Sequence, residues 1–126
     1  LDSTLPKAAG KNLGVITKRT LANVCWMQDK NTSGFYAGYV EPYRKRFEQM
    51  GLTTEKVGFD GSMLEMALRF TVYQPGVSSA IIGTTDLEHI KENIKMIEKG
   101  PLRDDVISRI RDIWKQNDDG SWTGRT

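Results

Sequence analysis

Two short runs of apolar, mostly β-branched residues constrain the fold most: Leu13-Gly14-Val15-Ile16-Thr17 and Val77-Ser78-Ser79-Ala80-Ile81-Ile82. Neither alternates polar with apolar residues, as a strand with one face in water would. Such runs belong to strands buried on both faces, the habit of parallel sheets. The pattern predicts parallel strands near 13–18 and 78–82. Helical sequence lies between and after them, and parallel strands need such crossovers. The fold class is therefore α/β. Two parallel strands alone make a poor sheet, since each keeps an unpaired edge and an open apolar face. A larger barrel or open sheet is the expected context.

Stop and start signals predict helices near 42–50, 62–73, 86–99 and 103–115. Pro42 suits a first helical turn, followed by Tyr43, Phe47 and Met50 and stopped at Gly51. Ser62 and Glu65 have capping-box spacing ahead of Met63, Met66, Ala67, Phe70 and Tyr73, and Gln74-Pro75-Gly76 ends that run. Thr85 and Glu88 offer a second box for a helix carrying Ile90, Ile94 and Ile97 and stopping at Gly100-Pro101. Asp104 and Asp105 suit the first turn of the last helix, with Val106, Ile110, Ile113 and Trp114 on its apolar side. The polar stretch from Gln28 to Tyr39 reads as a long loop, and the tail from Asn117 as irregular.

Composition narrows the function classes. In 126 residues, 38% are hydrophobic and 27% charged, ordinary values for a globular domain rather than a disordered or membrane chain. A net charge of +2 is too mild to imply nucleic acid. The one basic cluster, Arg44-Lys45-Arg46, reads as a solvated helix face. The single Cys25 excludes an internal disulfide, no run approaches a spanning length, and no secretory pattern precedes the first strand. A cytoplasmic protein is expected.

Chemistry is best sought after the strands. Ile82-Gly83-Thr84-Thr85-Asp86 joins a glycine, two hydroxyls and a helix start, a combination that suits an anion. The same residues also serve a purely structural cap at Thr85 or Asp86. Lys18-Arg19-Thr20-Leu21-Ala22-Asn23 follows the first strand, where α/β folds place ligands, although Lys18 and Arg19 could equally pair with carboxylates. His89, the only histidine, either lies on the helix surface or reaches a ligand phosphate; without histidine or cysteine company it makes no metal site. Cys25 and Trp26 read as packing. Glu55, Asp60 and Glu65 share no face and do not form a catalytic acid pair.

From about Leu13 onward the sequence resembles the aldo/keto reductase family. Four segments in order carry the resemblance: residues 14–23 (GVITKRTLAN), Ala67-Leu68-Arg69-Phe70, residues 76–85 (GVSSAIIGTT), and His89-Ile90-Lys91-Glu92-Asn93. The closing Gly120-Ser121-Trp122-Thr123-Gly124 is similar to family tails. The resemblance implies a (β/α)8 TIM-type barrel, with the two runs as strands 7 and 8. Residues 1–126 would then be a single incomplete domain, the C-terminal segment of that barrel. It further implies binding of NADP(H), and in some members NAD(H), at the C-terminal ends of the strands. Arg19, Leu21 and Asn23 would inherit contact with the pyrophosphate. Gly83, Thr84, Thr85, His89, Glu92 and Asn93 would surround the adenosine 2′-phosphate and adenine.

Two departures accompany the resemblance. Lys18 stands where many members stack an aromatic on the nicotinamide, and Gly83 and His89 stand where others place lysine and arginine. The family's catalytic aspartate, tyrosine, lysine and histidine belong to the first half of the barrel and have no counterpart motif here. Tyr36, Tyr39, Tyr43 and Tyr73 do not fill the role. The expected parent is an NAD(P)H-dependent oxidoreductase acting on aldehydes, ketones or sugars, with the segment alone inactive. Alternatives are a noncatalytic binding or regulatory module of this fold, such as an accessory channel subunit, and a remnant that folds only with a partner. The expected partners are the cofactor, the remainder of the barrel and, through open edges, copies of itself.

Overall fold

The computed structural model describes residues 2–27 and 37–122. Its elements are α1 (Thr4–Gly10), β1 (Val15–Thr17), a 3-10 helix (Ala22–Met27), α2 (Ala37–Met50), α3 (Thr54–Val57), α4 (Met63–Val72), β2 (Val77–Ala80), α5 (Leu87–Glu98) and α6 (Asp104–Asn117). They fall into two compact units. One holds the chain up to Asn23 with Gly61–Leu102; the other holds Val24–Asp60 with the chain from Arg103 onward.

In the first unit β1 and β2 pair in parallel, as their apolar sequences predict, with Val15 opposite Val77, Ile16 opposite Ser79 and Thr17 opposite Ala80. The register skips Ser78 between the first two pairs. Ser78 compensates with its own side chain, whose Oγ accepts from the Val15 N–H at 3.2 Å. A Cβ on Gly14 would stand 3.4 Å from that oxygen, at ordinary contact distance. Beyond the ladder the Ile81 N–H donates to the Thr17 carbonyl at 2.8 Å, continuing the pairing to the start of the next loop.

The expectation that these strands are buried is not met. Ile16 is 64% exposed and Ile81 60%, and Leu13 before β1 is 59% exposed. Among the described residues the sheet has two strands, with Val15, Thr17, Val77 and Ala80 half-buried on the side where α4 meets β2 and Ile16 left open on the other. The α5 stripe behaves likewise: Ile90 and Ile94 are exposed, whereas Asn93 is buried.

A charged hub joins α4 to α5. The Ser62 Oγ accepts from the Glu65 N–H at 3.1 Å, completing one half of the anticipated capping box. The other half does not form, because the buried Glu65 carboxylate turns to Arg69 and Lys99, each at 2.7 Å. Arg69 also donates to the carbonyls of Gly100 and Pro101 at 2.8 and 2.9 Å, and so fixes the turn that ends α5. Tyr73 adds a bond from its hydroxyl to the Ile97 carbonyl at 2.8 Å. Met66, Leu68, Leu5 and Leu102 form the buried apolar part of this unit.

The second unit is helical, with Cys25, Val40, Val57 and Val106 buried. Arg109 and Arg103 donate to the carbonyls of Val57 and Gly58 at 3.0 and 3.1 Å, tying α6 to the end of α3. Helix α2 begins at Ala37, so Pro42 lies inside it rather than in its first turn. Lacking an N–H, Pro42 leaves the Gly38 carbonyl without its usual i+4 donor. The long loop expected over Gln28–Tyr39 therefore ends by Ala37, and its remainder, with Tyr36, lies outside the described residues. Elements that the sequence did not announce are α1, the 3-10 helix and the short α3, which Thr53 caps by accepting from the Lys56 N–H at 3.3 Å.

Burial pushes the Glu65 carboxyl up, but the hydrogen bonds and charges of Lys99 and Arg69 outweigh it and hold the group below the usual carboxylate range. A depressed folded value contributes stability above the unfolded carboxyl range, lost as pH falls through the folded value. Glu65→Gln is accordingly expected to lower stability by about 3 kcal/mol at neutral pH. Urea unfolding of both chains from neutral to acid pH checks this, with the gap closing in acid.

Candidate functional site

The parallel register sets two loops side by side, because Thr17 and Ala80 are partners at the C-terminal ends of their strands. The first loop carries Lys18, Arg19, Leu21 and Asn23; the second carries Gly83, Thr84 and Thr85 and leads into α5 with His89, Glu92 and Asn93. All lie in the first compact unit.

The first loop is anchored through Thr20, which is buried. The Thr71 hydroxyl donates to the Ala67 carbonyl of its own helix at 3.0 Å and lies 3.4 Å from the Thr20 carbonyl, and the Thr20 Oγ1 lies 3.5 Å from the Thr17 hydroxyl. A tight turn follows, closed by the Ala22 N–H to the Arg19 carbonyl at 2.7 Å. Arg19, Ala22, Asn23 and Val24 all hold positive φ, between 46° and 58°. Asparagine tolerates this region; alanine and a β-branched valine do so at about 1–2 kcal/mol each. Such outliers concentrate where function constrains a backbone. Lys18 is exposed, and Arg19, Leu21 and Asn23 are half-buried.

The second loop is organised by its own side chains. Thr84 Oγ1 accepts from the Asp86 N–H at 3.1 Å and lies 3.3 Å from His89 Nδ1. Asp86 Oδ1 accepts from the Glu88 N–H at 2.9 Å and caps α5, while its Oδ2 lies 3.9 Å from His89 Nε2. The anticipated Thr85–Glu88 capping box is thus replaced by a cap one residue later. A side chain at Thr85 cannot occupy a cap that Asp86 already fills, and Glu88 is drawn to Lys91 at 2.6 Å. Thr85, His89 and Glu92 are exposed. Gly83 has open space where a Cβ would stand, and its φ lies outside the left-handed region, so neither packing nor backbone conformation in this chain requires glycine there.

Elsewhere the charged and reactive groups are structural. Arg44 pairs with Glu41 and Glu48, Lys45 with Glu41, and Arg46 lies over the rings of Tyr43 and Trp122. The basic cluster is therefore spent within its own unit. Burial pushes the Cys25 thiol up to about 11, leaving it protonated and unreactive at neutral pH. Trp26 packs its ring 5.3 Å from that of Phe47. Among the described residues no group of three or more histidine, cysteine or acidic side chains could hold a metal ion. Nor is any described helix long and apolar enough to cross a membrane.

The aldo/keto reductase family model matches residues 3–115. The chain belongs to the aldo/keto reductase family. It is 26% identical over 104 residues to an uncharacterized oxidoreductase of Bacillus subtilis, YqkF, covering 82% of this chain and 32% of that protein. The chain thus spans about a third of the curated relative's length. No solved structure matches. Of this aldo/keto reductase segment's candidate residues, the register brings all ten to one end of the sheet or to the helix that follows. Sequence reading overlooked Thr71, whose hydroxyl lies beside the Thr20 carbonyl of the first loop, and treated Asp86 only as an optional cap.

Two substitutions separate capping from exposure. Asp86→Ala should cost about 1 kcal/mol, whereas Thr85→Ala should change stability by no more than about 0.5 kcal/mol, both read from urea midpoints. In the strained turn, Ala22→Gly relieves a left-handed alanine and should stabilise the chain by about 1 kcal/mol. A lower urea midpoint for that variant would show that the turn is not strained.

Proposed function

We propose that this chain is the C-terminal portion of a (β/α)8 barrel, with β1 and β2 as strands 7 and 8. Its loops would hold the nicotinamide cofactor of an oxidoreductase that reduces aldehyde or ketone carbonyls. The observation that carries the reading is the parallel register of β1 and β2, which sets the loops after both strands at one end of the sheet, where barrel enzymes place their sites. Family membership, the uncovered apolar residues Ile16 and Ile81, and coverage of a third of an oxidoreductase relative support it.

The groups present fit a dinucleotide. Gly83 leaves room for close approach, and the exposed Lys18 and half-buried Arg19 supply positive charge beside the loop turn. Arg19, Leu21 and Asn23 would meet the pyrophosphate, with Lys18 toward the nicotinamide end. Gly83, Thr84, Thr85, His89, Glu92 and Asn93 would line the adenosine end. The bound cofactor, NADP(H) or NAD(H), supplies the hydride. This chain's part is binding and orientation. The Tyr73 hydroxyl already donates to the Ile97 carbonyl, so proton donation falls to residues outside this segment. Copies of the isolated chain would associate through the open strand edges, and the lone buried thiol suits a cytoplasmic setting.

Lys18→Ala with Arg19→Ala in the full-length protein should raise the cofactor's Kd by about tenfold or more, the loss of one to two charge-assisted hydrogen bonds. Fluorescence titration of the reduced cofactor measures it, with the urea midpoint unchanged. An unaltered Kd would remove the first loop from the cofactor site. The 126-residue chain alone should not oxidise the reduced cofactor with a reactive aldehyde, and turnover after exclusion of host reductases would refute that assignment of catalysis.

A further inference from the structure

We infer that residues 117–122 form a releasable strap over α2, one that opens and closes while the rest of the second unit stays folded. The residues assigned to the cofactor belong to the first unit, so the strap is a separate feature of the chain.

The chain leaves α6 at Asn117 and turns through its own polar groups. Asp118 Oδ1 accepts from the Gly120 N–H at 2.9 Å and from the Trp122 N–H at 3.4 Å, and Asp119 Oδ1 takes the Ser121 N–H at 2.9 Å. Carboxylates that satisfy nearby amides in this way stand in for a regular element over a short stretch. Gly120 makes the step that a side chain resists, with a φ of 89° and open space around it. The turn delivers Trp122 to α2. Its ring centre lies 5.5 Å from the Arg46 guanidinium, which also lies 5.9 Å from the Tyr43 ring centre. Gln49 meets the start of the strap, donating from Nε2 to the Asn117 carbonyl at 3.2 Å. Tyr43, Arg46 and Gln49 stand three residues apart, so one stripe of α2 receives the strap from end to end.

The strap is releasable because its hold is light. Asp119, Gly120 and Ser121 are exposed and Trp122 is half-buried, while the buried apolar residues of this unit, Cys25, Val40, Val57 and Val106, all lie outside it. Its turn bonds are local and its grip on α2 is an aromatic stack and a hydrogen bond. A cation–π contact near a surface shifts an equilibrium by about two- to thirtyfold. The closed form is favoured by a factor of that order, and a measurable fraction stands open. Opening leaves α6 in place, since Arg109 and Arg103 hold it to the end of α3 and Val106 stays buried.

Trypsin reads the open form, because it cuts a helix only where the helix opens locally, and at low protease the rate follows the open population. Arg44, Lys45 and Arg46 put cleavage sites within α2, and Lys91 and Lys95 put reference sites in α5. In the full-length protein Trp122→Ala should raise cleavage within α2 by about threefold or more, with cleavage in α5 at its original rate. Trp122→Phe keeps a ring face and should fall between the two. Gly120→Val retains Trp122 but forces a β-branched residue to positive φ, so it should loosen the strap through its turn. Peptide mapping by mass spectrometry over a time course measures all four chains. An unchanged rate in α2 for both Trp122→Ala and Gly120→Val overturns the inference. An equal rise in α2 and α5 also overturns it, because the tail would then be an inseparable part of the fold rather than a strap.

Discussion

The geometry of the site depends on the parallel pairing of β1 with β2. A backbone bond from Ile81 to Thr17 carries that pairing one step beyond the ladder, so the chain leaves both strands at the same level. Had the strands paired antiparallel, Lys18 and Arg19 would lie at the opposite end of the sheet from Gly83 and Thr84. The local devices serve this alignment. Ser78 absorbs the skipped residue by accepting the Val15 N–H at its Oγ. Thr20, buried where the first loop leaves β1, has its carbonyl 3.4 Å from the Thr71 hydroxyl of α4.

Charge is distributed in two contrasting ways within this unit. At the α4–α5 contact, the buried Glu65 and the half-buried Arg69 are paired, with Arg69 also occupying the carbonyls that end α5. Such a hub holds because every partner is in place, and removing one leaves a buried charge uncompensated. At the ends of the strands Lys18 is exposed and pairs with no carboxylate among the described residues, whereas Arg19 is half-buried.

The parallel α/β character was legible because unbroken β-branched runs have few other uses, and the helix limits at 63–72, 87–98 and 104–117 lay within two residues of those that caps and stops indicate. Three features were not legible, each for a physical reason. Pro42 marks a helix start only when the preceding residues are not helical, and Ala37–Glu41 are. Thr85, Asp86 and Glu88 offer competing caps, and only three-dimensional geometry decides that Asp86 wins. Exposure of Ile16, Ile81, Ile90 and Ile94 is invisible to a pattern that records what a residue is suited to touch rather than what is there to be touched. For the site, sequence order supplied the residues, but not the register that joins their two loops.

Capping and recognition compete for the same atoms at the start of α5. A helix N-terminus attracts anions because its first amides lack partners. Each amide that a side chain satisfies is one that a ligand no longer finds, and a carboxylate that does so adds repulsion as well. Asp86 and Thr84 together take two of the amides in this turn, and the second carboxylate oxygen of Asp86 lies 3.9 Å from His89 Nε2. Aspartate in this place differs from serine or asparagine chiefly by its charge, since all three cap the start of a helix about equally well.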